Sequence, residues 1–225
     1  EGQDSDHRWR MDTGGQVVYI LDQANTAGLL PKVEVYVDSP LAINATAVYG
    51  SHPECFDNQL SEYMLIDKNP FGFNDLTYIR QAEQSKELNN SKEPCIIISS
   101  SGMMNAGRVK HHLFNNIEDP RNTFLIVGYC SPDTPGGKLR AGAPGLKIFG
   151  QYKEVKAGVE IMDSFSAHGD RDEMRDFVIN QKPRLKKLFL VHGEYDTQQA
   201  WRSFLRENGF SHIDIPALGE TVRLD

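Results

Sequence analysis

The feature that most constrains the fold is a repeated alternation of short apolar runs with turn residues and amphipathic stretches. Cys95 to Ser99 holds three consecutive isoleucines and leads into Ser100-Ser101-Gly102-Met103-Met104-Asn105, after which Val109 and Leu113 recur at helical spacing. A continuous apolar run of that length predicts a strand covered on both faces. Upstream, Val33, Val35 and Val37 fall on one face of a strand. Asp38-Ser39-Pro40 then predicts a helix from Leu41, capped by Asp38 or Ser39, with Pro40 in its first turn. Val17, Val18, Ile20 and Leu21 predict an earlier helix, closed by Gly28 with Pro31 beyond it. A short strand is expected near Leu76 to Ile79, inside a polar stretch, and a buried one over Thr123 to Val127. Such βα units predict an α/β fold whose parallel or mixed sheet carries helices on both sides.

The pattern changes after Ser131. Ser131 to Gly150 is rich in Gly and Pro and predicts a loop, with a domain crossing near Ala143 to Leu146. Val155, Ala157, Val159 and Ile161 alternate as in a half-buried strand. Asp170 and Glu173 form a capping box for a helix whose stripe is Met174, Phe177 and Val178. Leu185 to Val191 predicts a strand. Asp196 with Gln199 is expected to open a last helix, striped by Trp201, Phe204 and Leu205. The expected division is therefore 15–145 and 146–225. Residues 1–14 have no strand or helix period and are set aside as a tag, linker or junction.

Charge and cysteines narrow the setting. The 225 residues carry 24 Lys and Arg against 31 Asp and Glu, a net −7, which disfavours nonspecific nucleic-acid binding by the chain as a whole. A groove can still be locally basic: Gly136 to Lys156 places Lys138, Arg140, Lys147, Lys153 and Lys156 against Glu154 alone. No apolar run approaches the roughly 18 residues of a membrane span, so no membrane partner is expected. Cys55, Cys95 and Cys130 are scattered and form no C-x-x-C pair, which predicts a reduced, cytoplasmic compartment.

Two histidines stand where α/β proteins collect ligands. His168 lies in Asp163-Ser164-Phe165-Ser166-Ala167-His168-Gly169-Asp170, between a strand and a capped helix. His192 lies in Leu190-Val191-His192-Gly193-Glu194 at a strand end. A loop histidine is commonly no more than a polar residue bonded to backbone. Two in equivalent turns, each followed by Gly and a carboxylate, make a site an equal alternative. His111 and His112 are adjacent on a helix and point to different faces, so they cannot chelate one metal together. The chain has no H-x-H and no H-E-x-x-H, so its motifs do not supply the three protein ligands that a catalytic zinc usually has. The turn Ser100-Ser101-Gly102 before a helix suits either a simple capped turn or a phosphate cradle.

Taken in order, these strings resemble one family. Val37-Asp38-Ser39-Pro40-Leu41-Ala42, Ser100-Ser101-Gly102-Met103 with Gly107-Arg108, Val127-Gly128-Tyr129, Phe165-Ser166-Ala167-His168 and Val191-His192-Gly193-Glu194 are similar to those of beta-CASP nucleases of the metallo-β-lactamase superfamily. Pro216 and Gly219-Glu220-Thr221-Val222 fit the family's C-terminus, so the resemblance covers about residues 15 to 225. It implies a Rossmann-like beta-CASP domain followed by the C-terminal portion of an αββα metallo-β-lactamase fold. It also implies a zinc-dependent ribonuclease, endo or exo, that hydrolyses RNA phosphodiesters between the two, with DNA left open as substrate. His168 matches the proton donor and His192 a ligand of a two-zinc site. Ser100, Ser101, Gly102, Arg108, Lys138, Arg140 and Ser166 are the expected phosphate contacts. The family's H-x-H-x-D-H cluster has no match here, and the helix that usually begins Gly-Arg-Thr-Gln begins Thr13-Gly14-Gly15-Gln16. The chain is therefore expected to be a C-terminal fragment, inactive alone, holding no zinc and exposing apolar surface that favours a homodimer. Its rival is a non-catalytic RNA-binding scaffold; retention of both His168 and His192 favours the enzyme.

Overall fold

The computed structural model describes residues 13–165 and 169–223. The chain forms two compact units, one ending at residue 167 and the other beginning at 168.

The first unit opens with α1 (Thr13–Thr26), β1 (Glu34–Val37), α2 (Pro40–Gly50), α3 (Asn58–Tyr63), β2 (Leu76–Tyr78), α4 (Ala82–Asn90), β3 (Cys95–Ile98) and α5 (Gly107–Asn116). The three strands form a parallel sheet in the order β2-β1-β3, as the βα alternation implied. Val35 and Val37 of the central β1 are fully buried. The triple isoleucine of β3 is only half-buried, because β3 pairs with β1 alone among the described residues. This corrects the expectation of a strand covered on both faces. The α2 start follows the sequence: Ser39 Oγ accepts from the Ala42 amide at 3.3 Å, and Pro40 needs no donor in the first turn. Val18, Val37, Ala42, Ile43, Leu60 and Phe71 form the core beneath.

The remainder of this unit is β4 (Thr123–Ile126), α6 (Pro135–Arg140), β5 (Gly145–Ile148), β6 (Gln151–Glu154) and β7 (Gly158–Ile161). β4 pairs in parallel with β7, on the far side of residue 145 in sequence, and β5 and β6 form an antiparallel hairpin. The expected loop over 131–150 thus contains a helix and a strand. Thr134 caps α6 by accepting from the Gly137 amide at 3.2 Å, and Pro135 sits in its first turn. Gly136 and Gly137 serve close packing there: a Cβ on Gly136 would lie 2.8 Å from Cys130 Sγ. β4, expected buried, exposes Thr123 and Leu125 because its only partner strand in the described residues is β7. Met104, Val109, Leu113, Ile117, Ile126, Leu139, Leu146 and Ile148 make one core from α5, β4, α6 and the hairpin.

The second unit holds α7 (Arg171–Ile179), β8 (Leu188–Phe189), α8 (Tyr195–Glu207) and β9 (Ile213–Asp214). The predicted capping box of α7 is present: Asp170 accepts from the amides of Asp172 and Glu173, both at 2.9 Å, while Glu173 accepts from the Asp170 amide. β8 is shorter than expected. α8 starts at Tyr195 behind Glu194, whose side chain makes no cap bond, rather than opening on Asp196. Leu190, Leu205, Phe210 and Ile213 form the core, with Trp201 packed on it. Among the described residues no helix is long and apolar enough to cross a membrane.

Candidate functional site

Parallel register brings three strand ends to one edge. Val37 stands beside Tyr78 on one side and Ile98 on the other, so Asp38, Ile79-Arg80 and Ser99-Ser100 leave the sheet together. The order β2-β1-β3 puts successive connections on opposite sides of β1, opening a crevice between β1 and β3 where doubly wound sheets bind ligands.

A carboxylate anchors this edge. Asp38 is fully buried. Its Oδ1 accepts from Arg108 Nη1 at 2.5 Å; its Oδ2 accepts from Ser85 Oγ at 2.5 Å and lies 2.6 Å from His112 Nε2. Burial pushes the carboxyl up, but the hydrogen bonds from His112, Ser85 and Arg108 outweigh it and hold the group below the usual carboxylate range. Arg108 and His112 reach one carboxylate because they are four apart on α5 and share a face. The Arg108 guanidinium also donates to the carbonyls of Ile79 and Arg80, both at 2.9 Å. His112 Nδ1 lies 3.0 Å from Asn89 Oδ1.

On this anchor sit the hydroxyls. Ser99 Oγ donates to the Asp38 carbonyl at 2.9 Å, and the Asp38 amide donates to the Ile98 carbonyl at 2.8 Å. Ser39 Oγ and Ser100 Oγ meet at 2.6 Å across the crevice. Ser39 is buried, Ser100 and Gly102 are exposed, and Ser101, half-buried, donates to Asn105 Oδ1 at 3.3 Å. Gly107 closes the turn with φ +72°, its missing Cβ leaving room for the Ser100 carbonyl 2.7 Å away.

The remaining expected contacts fall as follows. Gly136 donates its amide to the Met103 carbonyl at 3.1 Å, so the start of α6 packs on the serine turn. Lys138 is exposed on α6. Arg140 grips both oxygens of Asp163 at 2.7 and 3.1 Å and the Gly128 carbonyl at 2.9 Å, which holds the Asp163 carboxyl below its usual range. Ser166 and His168 lie outside the described residues. In the second unit His192 is exposed with φ +67°, and its carbonyl accepts from Gln198 Nε2 at 3.3 Å. Among the described residues no three His, Cys, Asp or Glu side chains group as a metal site. One imidazole does not amount to a catalytic zinc shell.

Sequence reasoning gave Asp38 and Ser39 only as cap candidates within a family string, and gave Ser85 and His112 no place in the site. The Arg108–His112 spacing was the available signal: two cationic or polar groups one turn apart, with an acid at a strand end.

Residues 16–139 match the family model described as Beta-Casp domain, and 152–216 that described as Zn-dependent metallo-hydrolase RNA specificity domain. A ribonuclease of Thermus thermophilus is 32% identical over 86% of this chain and 44% of its own length. A transcription termination factor of Methanosarcina mazei is 31% identical over 80% of this chain and 29% of its own. An RNase J-like protein of Methanocaldococcus jannaschii is 33% identical over 80% of this chain and 40% of its own. The chain thus spans less than half the length of these relatives. With more than half of its residues matched by the first domain and most of the rest by the second, the chain belongs to the beta-CASP family of metallo-β-lactamase-superfamily nucleases.

Proposed function

We propose that this chain supplies the phosphate-holding turn and the proton donor of a zinc-dependent ribonuclease. The observation that carries the reading is the Ser39–Ser100 hydroxyl pair at the switch point of the sheet, fixed from below by the buried Asp38–Arg108–His112 cluster. Ser100, Ser101 and Gly102 offer hydroxyl and backbone donors to a phosphodiester. In this reading Arg108 acts through Asp38, and Arg140 through Asp163, as positioning residues. Lys138 is free to meet a phosphate. His168 gives a proton to the departing oxygen, a step suited to an imidazole near neutral pKa. His192 contributes one ligand, the others coming from sequence beyond these residues. Zinc, when bound, activates water and neutralises phosphate charge. The beta-CASP part corresponds to 15–145 and the metallo-β-lactamase part to 146–225, in keeping with matches that leave 140–151 between them.

The test uses the full-length protein to which these residues belong. His168→Ala is expected to slow RNA cleavage by about 10² to 10⁴ with metal content unchanged. His192→Ala is expected to lower both. Zinc lost in the first variant and kept in the second would invert the assignment. Unchanged cleavage in both would leave a fold without this chemistry, as in an RNA-binding scaffold. The 225-residue chain alone, dialysed and analysed for metal, is expected to hold well under one zinc per molecule.

A further inference from the structure

Among the described residues two carboxylates are fully buried, Asp22 and Asp38, and their surroundings are opposite. Asp38 has a guanidinium, an imidazole and a hydroxyl on its oxygens. Asp22, on α1, has the Tyr63 hydroxyl of α3 at 2.7 Å from Oδ2, while its Oδ1 meets no hydrogen-bond partner among the described residues. A carboxylate buried with one oxygen bare bears a desolvation cost that the neutral acid largely escapes.

No cation among the described residues offsets that cost. The charged groups that act on this contact are Asp67, just beyond α3, and Asp57, the cap of α3. The Tyr19 ring meets the Tyr63 ring edge-on at 5.3 Å, and its hydroxyl accepts from Gln23 Nε2 at 2.9 Å. α2 carries no charged residue, and its one titratable group is Tyr49. Val37 of β1 and Ala42 and Ile43 of α2 share an apolar core with Val18 of α1. Asp22 also stands one turn before the end of α1, where a helix disfavours negative charge. Burial pushes its carboxyl up, against the lowering effect of the Tyr63 hydrogen bond. Burial and the Asp22 carboxylate push the Tyr63 phenol up to about 12, so the carboxyl gives up its proton first as pH rises.

A path for that proton is in place. The Tyr63 hydroxyl lies 3.2 Å from Thr26 Oγ1, and Thr26 is exposed. In the neutral form Asp22 Oδ2–H donates to Tyr63, and Tyr63 donates to Thr26. On ionisation the Asp22 proton passes to the Tyr63 oxygen, the Tyr63 proton to Thr26, and the Thr26 proton to water. Both hydroxyls end neutral with their donors reversed. The carboxylate is left with a single hydrogen bond.

We propose that Asp22 is a proton-operated latch between α1 and α3, closed as the neutral acid and loosened when the acid ionises. The core behind it joins Val18 of α1 to Leu60 of α3, so the packing of α3 is what loosens. The sign is opposite to that of a carboxylate held by cations. Stability from a raised carboxyl is fully present below the unfolded value of about 3.9 and is lost as pH rises through the folded value.

Carbon-13 NMR titration of the assigned Asp22 carboxyl in the chain itself tests this. Its midpoint is expected above that of an unfolded aspartate. Tyr63→Phe removes the one donor and is expected to move the midpoint higher still. Amide hydrogen exchange in α3 reads the latch, through the Met64 and Asp67 amides that donate to the Leu60 and Tyr63 carbonyls. Their protection factors are expected to fall by up to about tenfold per pH unit between the unfolded and folded midpoints. In Asp22→Asn they should stay level over that range. A folded midpoint at or below the ordinary aspartate value overturns the proposal, whatever the variants do. So does an equal pH slope of α3 protection in the parent and Asp22→Asn. If Asp22→Asn does not fold, Tyr63→Phe serves. Its carboxyl midpoint and the pH range of α3 loosening should rise together, and a fall in either overturns the latch.

Discussion

Asp38, itself fully buried, gathers Arg108, His112 and Ser85 around one carboxylate, and its value depends on all three donors being present. A buried carboxylate so held is worth little net against an apolar replacement, yet breaking it from one side strands the rest. Asp38→Ala is therefore expected to cost about 3 to 5 kcal/mol, measured by urea unfolding. The sign of its pH dependence follows from the depressed carboxyl. Folded Asp38 titrates below its unfolded value of about 3.9, so its stabilisation is present above about pH 4 and is lost as pH falls towards the lowered value. The unaltered chain should thus lose stability more steeply on acidification than Asp38→Asn. Equal slopes would mean that the carboxylate is not the anchor described. The same residue shows where the sequence was opaque. His112 is adjacent to His111, and the sequence says of the two only that they face different ways and cannot chelate one metal together. The actual partner of His112 lies 74 positions away on another element, and a single sequence carries no sign of that distance.

At the scale of elements, the turn from β3 into α5 depends on one glycine. Gly107 has φ +72°, and a Cβ there would stand 2.7 Å from the Ser100 carbonyl. Gly107→Ala is expected to cost about 1 to 2 kcal/mol from handedness alone, with a further cost as the serine turn shifts. On the proposed function, RNA binding should fall more than stability predicts, because the displaced group is the turn itself. A variant as stable as the parent, with unaltered affinity, would show that this geometry is not required. The neighbouring elements explain which parts were legible. Caps and periods near the chain's own residues were: Ser39-Pro40, the Asp170–Glu173 box and the valines of β1 all fold as their local chemistry directs. The hairpin and α6 were not, because Pro and Gly mark a loop in sequence as readily as they mark a helix start or a tight turn. Pro135 is in fact a first-turn proline behind the Thr134 cap, and the turn Phe149-Gly150 lacks the Asn that usually announces a hairpin. Burial of β3 and β4 depends on neighbours that the runs themselves cannot specify.

At the scale of the whole molecule, exposed apolar surface recurs in both units. β4 and β7 form a two-stranded sheet, a form with little stability of its own, and leave Leu125, Ile161 and Met162 between 41% and 49% exposed. In the second unit the buried core among the described residues is four side chains. Of the α7 stripe only Val178 packs against it, while Met174 is 44% and Phe177 83% exposed. Small units bury a small fraction of their surface and gain most from any further cover. Self-association at rising concentration is the expected outcome, seen as a shift in sedimentation velocity. Phe177 is the residue to change: burying such a ring is worth about 1.5 to 3 kcal/mol per copy, and a charge in its place would have to be desolvated. Phe177→Glu should therefore move the chain towards monomer while leaving its melting temperature at low concentration unchanged, since the ring makes little of its own unit's core. If the parent stays monomeric at every attainable concentration, the exposed stripe does not drive association. If Phe177→Glu associates as the parent does, the contact lies elsewhere, and the exposed edge at Leu125 and Ile161 becomes the surface to test.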